Sequence, residues 1–438
     1  MQKPLHSTNA TKTQLISLLT ILEEVPDPRV TATVEHDLPD ILTIALCTVL
    51  CGGESFYDME EFGEVRLDWL KTFLRLRHGA PKHDTYNRVF QALDPEKFGE
   101  CLARWTQSVR TALGGEVVAL DGKAVRRALN KGEDPRVIVS AWATESGLLL
   151  GQRKVKNKSN EITAVPELLR ALELAGCIVT ADALHCQKDI AKEIIEADAD
   201  YVLALKGNQG TAFAEVKSFL DDAVPRNEAH LVFTQTVGKE HGRHEVRRYW
   251  QSQKLDWLKT FLRLRHGAPK HDTYNRVFPD AVPRNEAHLV YTETVGKEHG
   301  RHEVRRYWQT QKLDWFADRA AWEGLTSVGV VEARRTVHGK ESVERRYYLS
   351  SLKADAVKFA RAVRGHWGVE NCLHWVLDVV FGEDQSRARS GNALENLAAT
   401  RRLAVNLLRR DQTCKRSIKG KLLRAAIDPD YLKRVLTN

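Results

Sequence analysis

Residues 116–125, EVVALDGKAV, read as an apolar strand that runs into an acid and a glycine, and residues 177–186, CIVTADALHC, repeat the pattern. Val117, Ala119 and Asp121 alternate onto one face of the first run. Between the two, PRVIVSAWAT (135–144) followed by GLLLGQRKV (147–155) spells a hairpin that turns at Glu145, Ser146 and Gly147. A helix-period segment, ITAVPELLRALELAG (162–176), leads into the second acid-tipped strand. A helix over 187–197 and the strand YVLALK (201–206) follow.

Three strands, helix, strand, helix, strand is the element order of a ribonuclease-H-like core. In that order an aspartate on the first strand and one at the end of the fourth can meet, and a later helix can bring a third acid. Glu370 in RGHWGVENCLHWVLDVVFGED (364–384) is the candidate for that third place. Enzymes that cut or transfer phosphodiesters commonly hold two divalent ions about 3.5–4 Å apart, and such hard ions favour carboxylate oxygens. Each acid taken alone has an ordinary structural explanation: Asp-Gly is a turn signal, and Asp182 could cap the helix after it. The three together, in this element order, point to one metal site.

The wording of these motifs carries further. LDGKAVRRAL (120–129), TADALHCQKDIA (180–191), YVLALKGNQ (201–209) and RGHWGVENCLHWVLDVVFGEDQSRAR (364–389) resemble the bacterial H-repeat-associated insertion-sequence transposases, a group of DDE transposases. The stretch from VPDPRV to HDTYNRVF (25–90) is similar to that family's N-terminal domain. The resemblance implies a ribonuclease-H-like nuclease with Asp121, Asp182 and Glu370 as catalytic, metal-holding triad. It further implies two Mg²⁺ or Mn²⁺ ions as cofactor, and double-stranded DNA, as transposon ends and target, as partner for a homodimer assembled on it. Related insertion-sequence enzymes surround the glutamate with a Tyr, an Arg and a Lys; here those places hold Val363, His366 and Leu377. Roles attached to those three residues do not transfer. A catalytically dead DNA-binding remnant, or a metal-dependent nuclease of the same fold, are the rival readings.

Around Glu370, the residues His366, His374 and Asp378 recur every four positions, a drift of about 40° per step that draws one polar stripe along a helix. His366 and His374 are candidates for DNA phosphate, for orienting Glu370, or for zinc with it. Lys123 and Lys206 are further candidates for phosphate contact, and Asp378, Glu383 and Asp384 compete with Glu370 as third acid.

The expected architecture is α/β: a helical N-terminal domain (1–112), the first part of the core (113–221), a β-rich insertion (222–317), the second part of the core (318–400) and a basic helical tail (401–438). With 438 residues, 42% of them apolar, the chain can bury a sizeable core. Its net charge is +8, and the tail alone holds eleven Lys or Arg against three acids, so the rest is nearly neutral. Such a tail suits phosphate tracking, or else a solvated helical end. Seven cysteines, scattered and never as CxxC, argue against a disulfide framework or zinc module and suit a reducing compartment. Leu38 to Cys51 is too short an apolar run to span a bilayer, and the N-terminus lacks a leader pattern. A soluble, cytoplasmic protein is expected.

The insertion contains copied text. Leu67–Phe90 recurs unchanged at Leu255–Phe278, and Asp222–Trp257 recurs at Asp280–Trp315 with differences only at Phe233/Tyr291, Gln235/Glu293 and Ser252/Thr310. Two copies are too few for a solenoid. Each copy reads as strand, turn, strand, and either could pair with the same neighbours, so one is expected to be displaced. The transplanted DWLKTFLRLRHG, read as a helix, would lose its apolar partner and favour self-association.

Overall fold

The computed structural model describes residues 17–30, 34–110, 115–125, 136–155, 161–228, 232–240, 243–251, 289–298, 301–337 and 340–437. Among the described residues six helices come first: α1 (Leu18–Glu23), α2 (Leu38–Leu50), α3 (Phe56–Val65), α4 (Leu67–Leu70), α5 (His83–Ala92) and α6 (Pro95–Val109). There follow β1 (Val117–Val125), β2 (Arg136–Ala143), β3 (Leu148–Val155), α7 (Glu161–Arg170), β4 (Ile178–Ala181), α8 (Lys188–Glu196), β5 (Asp200–Leu205) and α9 (Gly210–Glu228). Six more strands are β6 (Val232–Glu240), β7 (Arg243–Gln251), β8 (Val290–Glu298), β9 (Arg301–Thr310), β10 (Ser327–Val337) and β11 (Lys340–Ser350). The chain ends in α10 (Ala356–His366), a π-helical turn (Val369–His374), α11 (Trp375–Val379), α12 (Ala393–Arg410), α13 (Ile418–Ile427) and α14 (Pro429–Thr437). This is a mixed α/β chain in the element order read from residues 116–206.

Two compact units divide it: Met1–Leu113 with Asp121–Glu173 and Gly368–Asn438, and Gly114–Leu120 with Leu174–Trp367. In the first unit, α2 is predominantly apolar and almost wholly buried, and its buried Asp40 accepts the Arg75 N–H. Ser55 and Asp58 form a capping box at the start of α3, and Asp94 caps α6 ahead of Pro95. The β2–β3 hairpin turns where expected, with Gly147 at φ +66°, a conformation that costs glycine little. Helix α12 threads this unit: Asn396 donates to the Phe90 and Leu93 carbonyls, and Asn406 bridges both backbone groups of Leu149. Leu394 and Ala398 pack with Val125 and Ile138.

In the second unit the strands run β1-β4-β5-β11-β10-β9-β8-β7-β6. The first half of β1 pairs in parallel with β4, from Val117↔Ile178 to Leu120↔Ala181, and β4 pairs in parallel with β5. From β5 outward every pairing is antiparallel. Val117, Ile178, Val202, Tyr307, Val331, Tyr348, Phe359 and Val363 form the core that α10 covers.

Both copies of the duplicated segment are strands of this one sheet. The two hairpins have the same register: Val232↔Gln251 to Glu240↔Arg243 in the first, Val290↔Gln309 to Glu298↔Arg301 in the second. The second copy holds the place beside β10, and the first adds outside it through Glu245↔Gly296 to Arg248↔Glu293. The expected insertion is therefore a continuation of the sheet, and its meander runs on to Ser350.

Two other expectations are corrected. The stretch DWLKTFLRLRHG in its original place, residues 68–79, is not one helix: α4 has four residues and gives way to turns, with Leu70 and Leu76 buried. The transplanted copy of Leu67–Phe90, 255–278, lies outside the described residues. Nor is 401–438 a separate basic tail. Arg401 and Arg402 are buried within α12, Lys421 donates to the Leu408 and Asp411 carbonyls, and the guanidinium of Arg410 stacks over Trp105. Several of the positive charges read as available for phosphate are spent on packing.

Candidate functional site

The C-terminal half of β1 carries Asp121 into the first unit, where its Oδ1 accepts the Gly122 N–H at 2.9 Å. His374, from the π-helical turn, brings Nδ1 to 3.4 Å from Asp121 Oδ2. Glu370 lies in the same turn and is exposed, while Val369 and Leu373 are buried. Single π turns inside helices often occur at functional positions. Two of the three candidate acids thus belong to segments linked through His374.

Lys123 has a different place from the one expected. Its ammonium is buried, 2.7 Å from Asp378, 3.3 Å from Glu383 and 3.1 Å from Asp384. Burial alone would lower its pKa, but Glu383, Asp378 and Asp384 outweigh that and raise it. Glu383, wholly buried, is also clasped by the Arg402 guanidinium and held below its ordinary range. Lys123 is therefore committed to protein carboxylates, which corrects its reading as a phosphate contact. The same network occupies the three acids that competed with Glu370. Sequence spacing gave no sign of it, because a lysine two residues past an Asp-Gly turn looks solvated until its partners, more than 250 positions away, are folded against it.

In the second unit, Asp182 follows directly on β4. His185 is buried and donates to Asp182 Oδ1 from its backbone N–H at 3.3 Å and its ring Nδ1 at 2.8 Å. Burial works against the charged carboxyl, yet these hydrogen bonds hold its pKa below the ordinary value. His366 ends α10 with Nδ1 3.2 Å from Thr180 Oγ1. Gly365 makes this approach possible: a Cβ there would meet Val117 Cγ1 at 2.8 Å. Neither His185 nor Thr180 stood out in the sequence as site residues. Lys206 is exposed just beyond β5.

The expected four-residue stripe does not act as one ligand set. His366, at the end of α10, has Nδ1 3.2 Å from Thr180 Oγ1, while His374, in the π-helical turn, has Nδ1 3.4 Å from Asp121 Oδ2. Among the described residues, no group of three or more His, Cys, Asp or Glu side chains is gathered closely enough to hold a metal ion as it stands. The donor chemistry of Asp121, Asp182 and Glu370 nevertheless suits a hard divalent ion better than zinc. The β1–β4 ladder bears on two of them: it ends at Leu120↔Ala181, and the next residue along each chain is an aspartate, Asp121 and Asp182.

No described helix is long and apolar enough to cross a membrane, and the seven cysteines are free thiols.

Comparison with known proteins matches residues 19–106 to the family described as DDE_Tnp_1-associated and residues 112–407 to the Transposase DDE domain. The chain is 35% identical over 430 residues to "H repeat-associated putative transposase YhhI" of Escherichia coli (strain K12), covering 97% of this chain and 98% of that one. It is 34% identical over 428 residues to "Putative transposase YncI" of Escherichia coli O157:H7, covering 96% and 95%. A short relative, "Inactive transposase YbfQ" of Escherichia coli (strain K12), is 41% identical over 76 residues, 17% of this chain and 90% of its own. Matched along nearly its whole length, with the acid-bearing strands and the glutamate helix inside the matched region, this chain belongs to the DDE transposases, in their H-repeat-associated family.

Proposed function

We propose that this transposase cuts DNA at the ends of its own mobile element and joins the freed ends to target DNA, using a ribonuclease-H-like core with Asp121, Asp182 and Glu370 as metal ligands. The observation that carries the proposal is the β1–β4 register, which is followed on both strands by an aspartate. Glu370, exposed on the turn that also holds His374 near Asp121, supplies the third carboxylate.

Two Mg²⁺ or Mn²⁺ ions, when bound, would lower the pKa of an attacking water and stabilise the departing 3′ oxygen. The chain's own residues supply the rest. Asp121, Asp182 and Glu370 would hold the ions through their carboxylate oxygens. His374 restrains the Asp121 carboxylate, and the Lys123 network ties the strand end that carries Asp121 to the segment after the glutamate helix. Double-stranded DNA is the partner, engaged by a homodimer assembled on it.

The test is a labelled DNA carrying the element's ends, incubated with the full chain in Mg²⁺, Mn²⁺ or EDTA. Metal-dependent cutting should vanish in Glu370→Gln and in Asp121→Asn while DNA binding persists. Cutting retained by Glu370→Gln removes Glu370 from the triad.

A second reading, a DNA-binding remnant that no longer cuts, is favoured by the duplicated hairpin lying between Asp182 and Glu370. Binding by the wild-type chain without cutting in either metal would select it.

A further inference from the structure

We propose that His185 is a positioning residue that fixes the Asp182 carboxylate for divalent-metal binding, and that Asn208 and Gln209 hold the loop from which it acts. The inference rests on the reading of Asp182 as a metal ligand.

Both donors of His185 converge on a single oxygen, Asp182 Oδ1, at 3.3 Å from the backbone and 2.8 Å from the ring. The asymmetry of exposure gives the arrangement its direction: the His185 side chain is 2% exposed and the Asp182 side chain 47%. A rigid, buried imidazole therefore holds from behind a carboxylate that still faces solvent. A flexible surface aspartate would lose rotamer freedom on binding an ion, and a hydrogen bond to one oxygen removes that cost in advance. For Nδ1 to donate, the imidazole carries its proton on that nitrogen, an assignment that follows from the carboxylate being an acceptor only.

The loop under His185 is itself bolted. Asn208 Nδ2 donates to the Ala183 carbonyl at 2.5 Å, and Gln209 Nε2 donates to the Cys186 carbonyl at 3.0 Å and to Gln187 Oε1 at 2.9 Å. These two amides are the end of the YVLALKGNQ motif, which nothing else in the site explains. They clamp the backbone on both sides of His185, so the short stretch between β4 and α8 has little freedom to carry the ring away. Three layers result: the amides fix the loop, the loop fixes the imidazole, and the imidazole fixes the carboxylate.

The chemistry predicts which substitutes succeed. Asparagine places an amide N–H close to where histidine has Nδ1–H, whereas glutamine reaches toward the Nε2 position. The experiment measures Mn²⁺ affinity of the full chain by the paramagnetic resonance signal of free Mn²⁺, with thermal melting in EDTA as the folding control. Asp182→Asn should lose binding. His185→Gln should weaken it by ~10–100-fold, the range for partners that orient a ligand, and His185→Asn should stay within a few-fold of wild type. Unchanged affinity in His185→Gln, with Asp182→Asn still impaired, overturns the positioning role and leaves the metal site intact. Unchanged affinity in Asp182→Asn overturns the reading of Asp182, and this proposal with it. A measurement on the wild-type chain covers the case of a misfolded variant: selective ¹⁵N-histidine labelling should show His185 protonated on Nδ1, and a proton on Nε2 alone overturns the proposal.

Discussion

His366 ends α10 with Thr180 Oγ1 at 3.2 Å, and burial pushes its imidazole down to about 4 even though Asp182 nearby pulls the other way. A ring with that pKa is neutral near pH 7, so it meets its surroundings as a hydrogen-bonding group and not as a cation for phosphate. The consequence for stability has a definite sign. The unfolded chain takes up the His366 proton near the ordinary value of 6.5, the folded chain only near 4. The neutral ring's contribution is therefore complete above about pH 6.5 and lost as pH falls toward 4, with about 2–3 kcal/mol at stake. Urea unfolding at pH 7 and pH 4.5 should show His366→Gln gaining on wild type by about that amount between the two; parallel losses in both proteins would refute the assignment. At this scale the sequence was legible in part. Asp121, Asp182 and Glu370 could be singled out as candidates because acids at strand ends and in a long motif are local signals. The burial of Lys123, and the service of His185 to Asp182, depend on partners or exposure that no local pattern encodes.

Among the elements, α10 shows how a single glycine sets the placement of a helix. Phe359, Ala360, Ala362 and Val363 form its buried face against Val117, Ile178 and Val202, and at its last turn Gly365 lets backbone and strand approach where a side chain would collide. An added methyl at Gly365 would meet Val117 Cγ1 at 2.8 Å and Val117 Cβ at 3.1 Å, atoms of a stiff β-branched side chain on a central strand. Gly365→Ala should cost about 1–3 kcal/mol of stability by overpacking, despite alanine's better helix propensity. It should also push His366 out of its buried site, and because burial is what depresses that imidazole, its pKa should rise toward the ordinary value. Denaturant melts and histidine NMR titration read the two effects; a variant as stable as wild type would mean that the helix has room to shift. Strand and helix order were legible because alternation and apolar runs are properties of each segment alone. The joining of β11 to β5 was not, since pairing between distant segments is chosen by the tertiary core. The C-terminal helices misled for a related reason: charge content is visible in sequence, but Arg402 beside Glu383, or Arg409 donating to the Cys372 carbonyl, is not.

Across the whole molecule, the duplication leaves a sheet in which two hairpins of nearly one sequence compete for one seat. β9 holds the place beside β10, where Arg306 stands opposite Glu332 and Trp308 opposite Val330. The first copy has the same residues at the matching positions, Arg248 and Trp250, so β7 is chemically equipped for that seat as well. The buried aromatic residues of β9, Tyr307 and Trp308, have counterparts in Tyr249 and Trp250, and Trp315, stacked on Phe219 with ring centroids 4.1 Å apart, has one in Trp257. Deleting Leu258–Trp315 therefore keeps most side chains that the seat uses, putting Phe233 for Tyr291, Ser252 for Thr310 and Gln235 for the buried Glu293 that pairs with Arg306, and joins Trp257 directly to Phe316. In the resulting 380-residue chain β6 and β7 should shift inward, with Arg248 opposite Glu332, and the sheet should close two strands earlier. Removing an alternative pairing of closely similar chemistry narrows the folded ensemble and shortens the chain that must be ordered between Asp182 and Glu370. The shortened protein should melt at a higher temperature than the full chain and cut transposon-end DNA at least as fast. A 380-residue chain that is no more stable and no more active would mean that the second hairpin is tolerated at no cost, and that the limits on this enzyme lie elsewhere than in its copied strands.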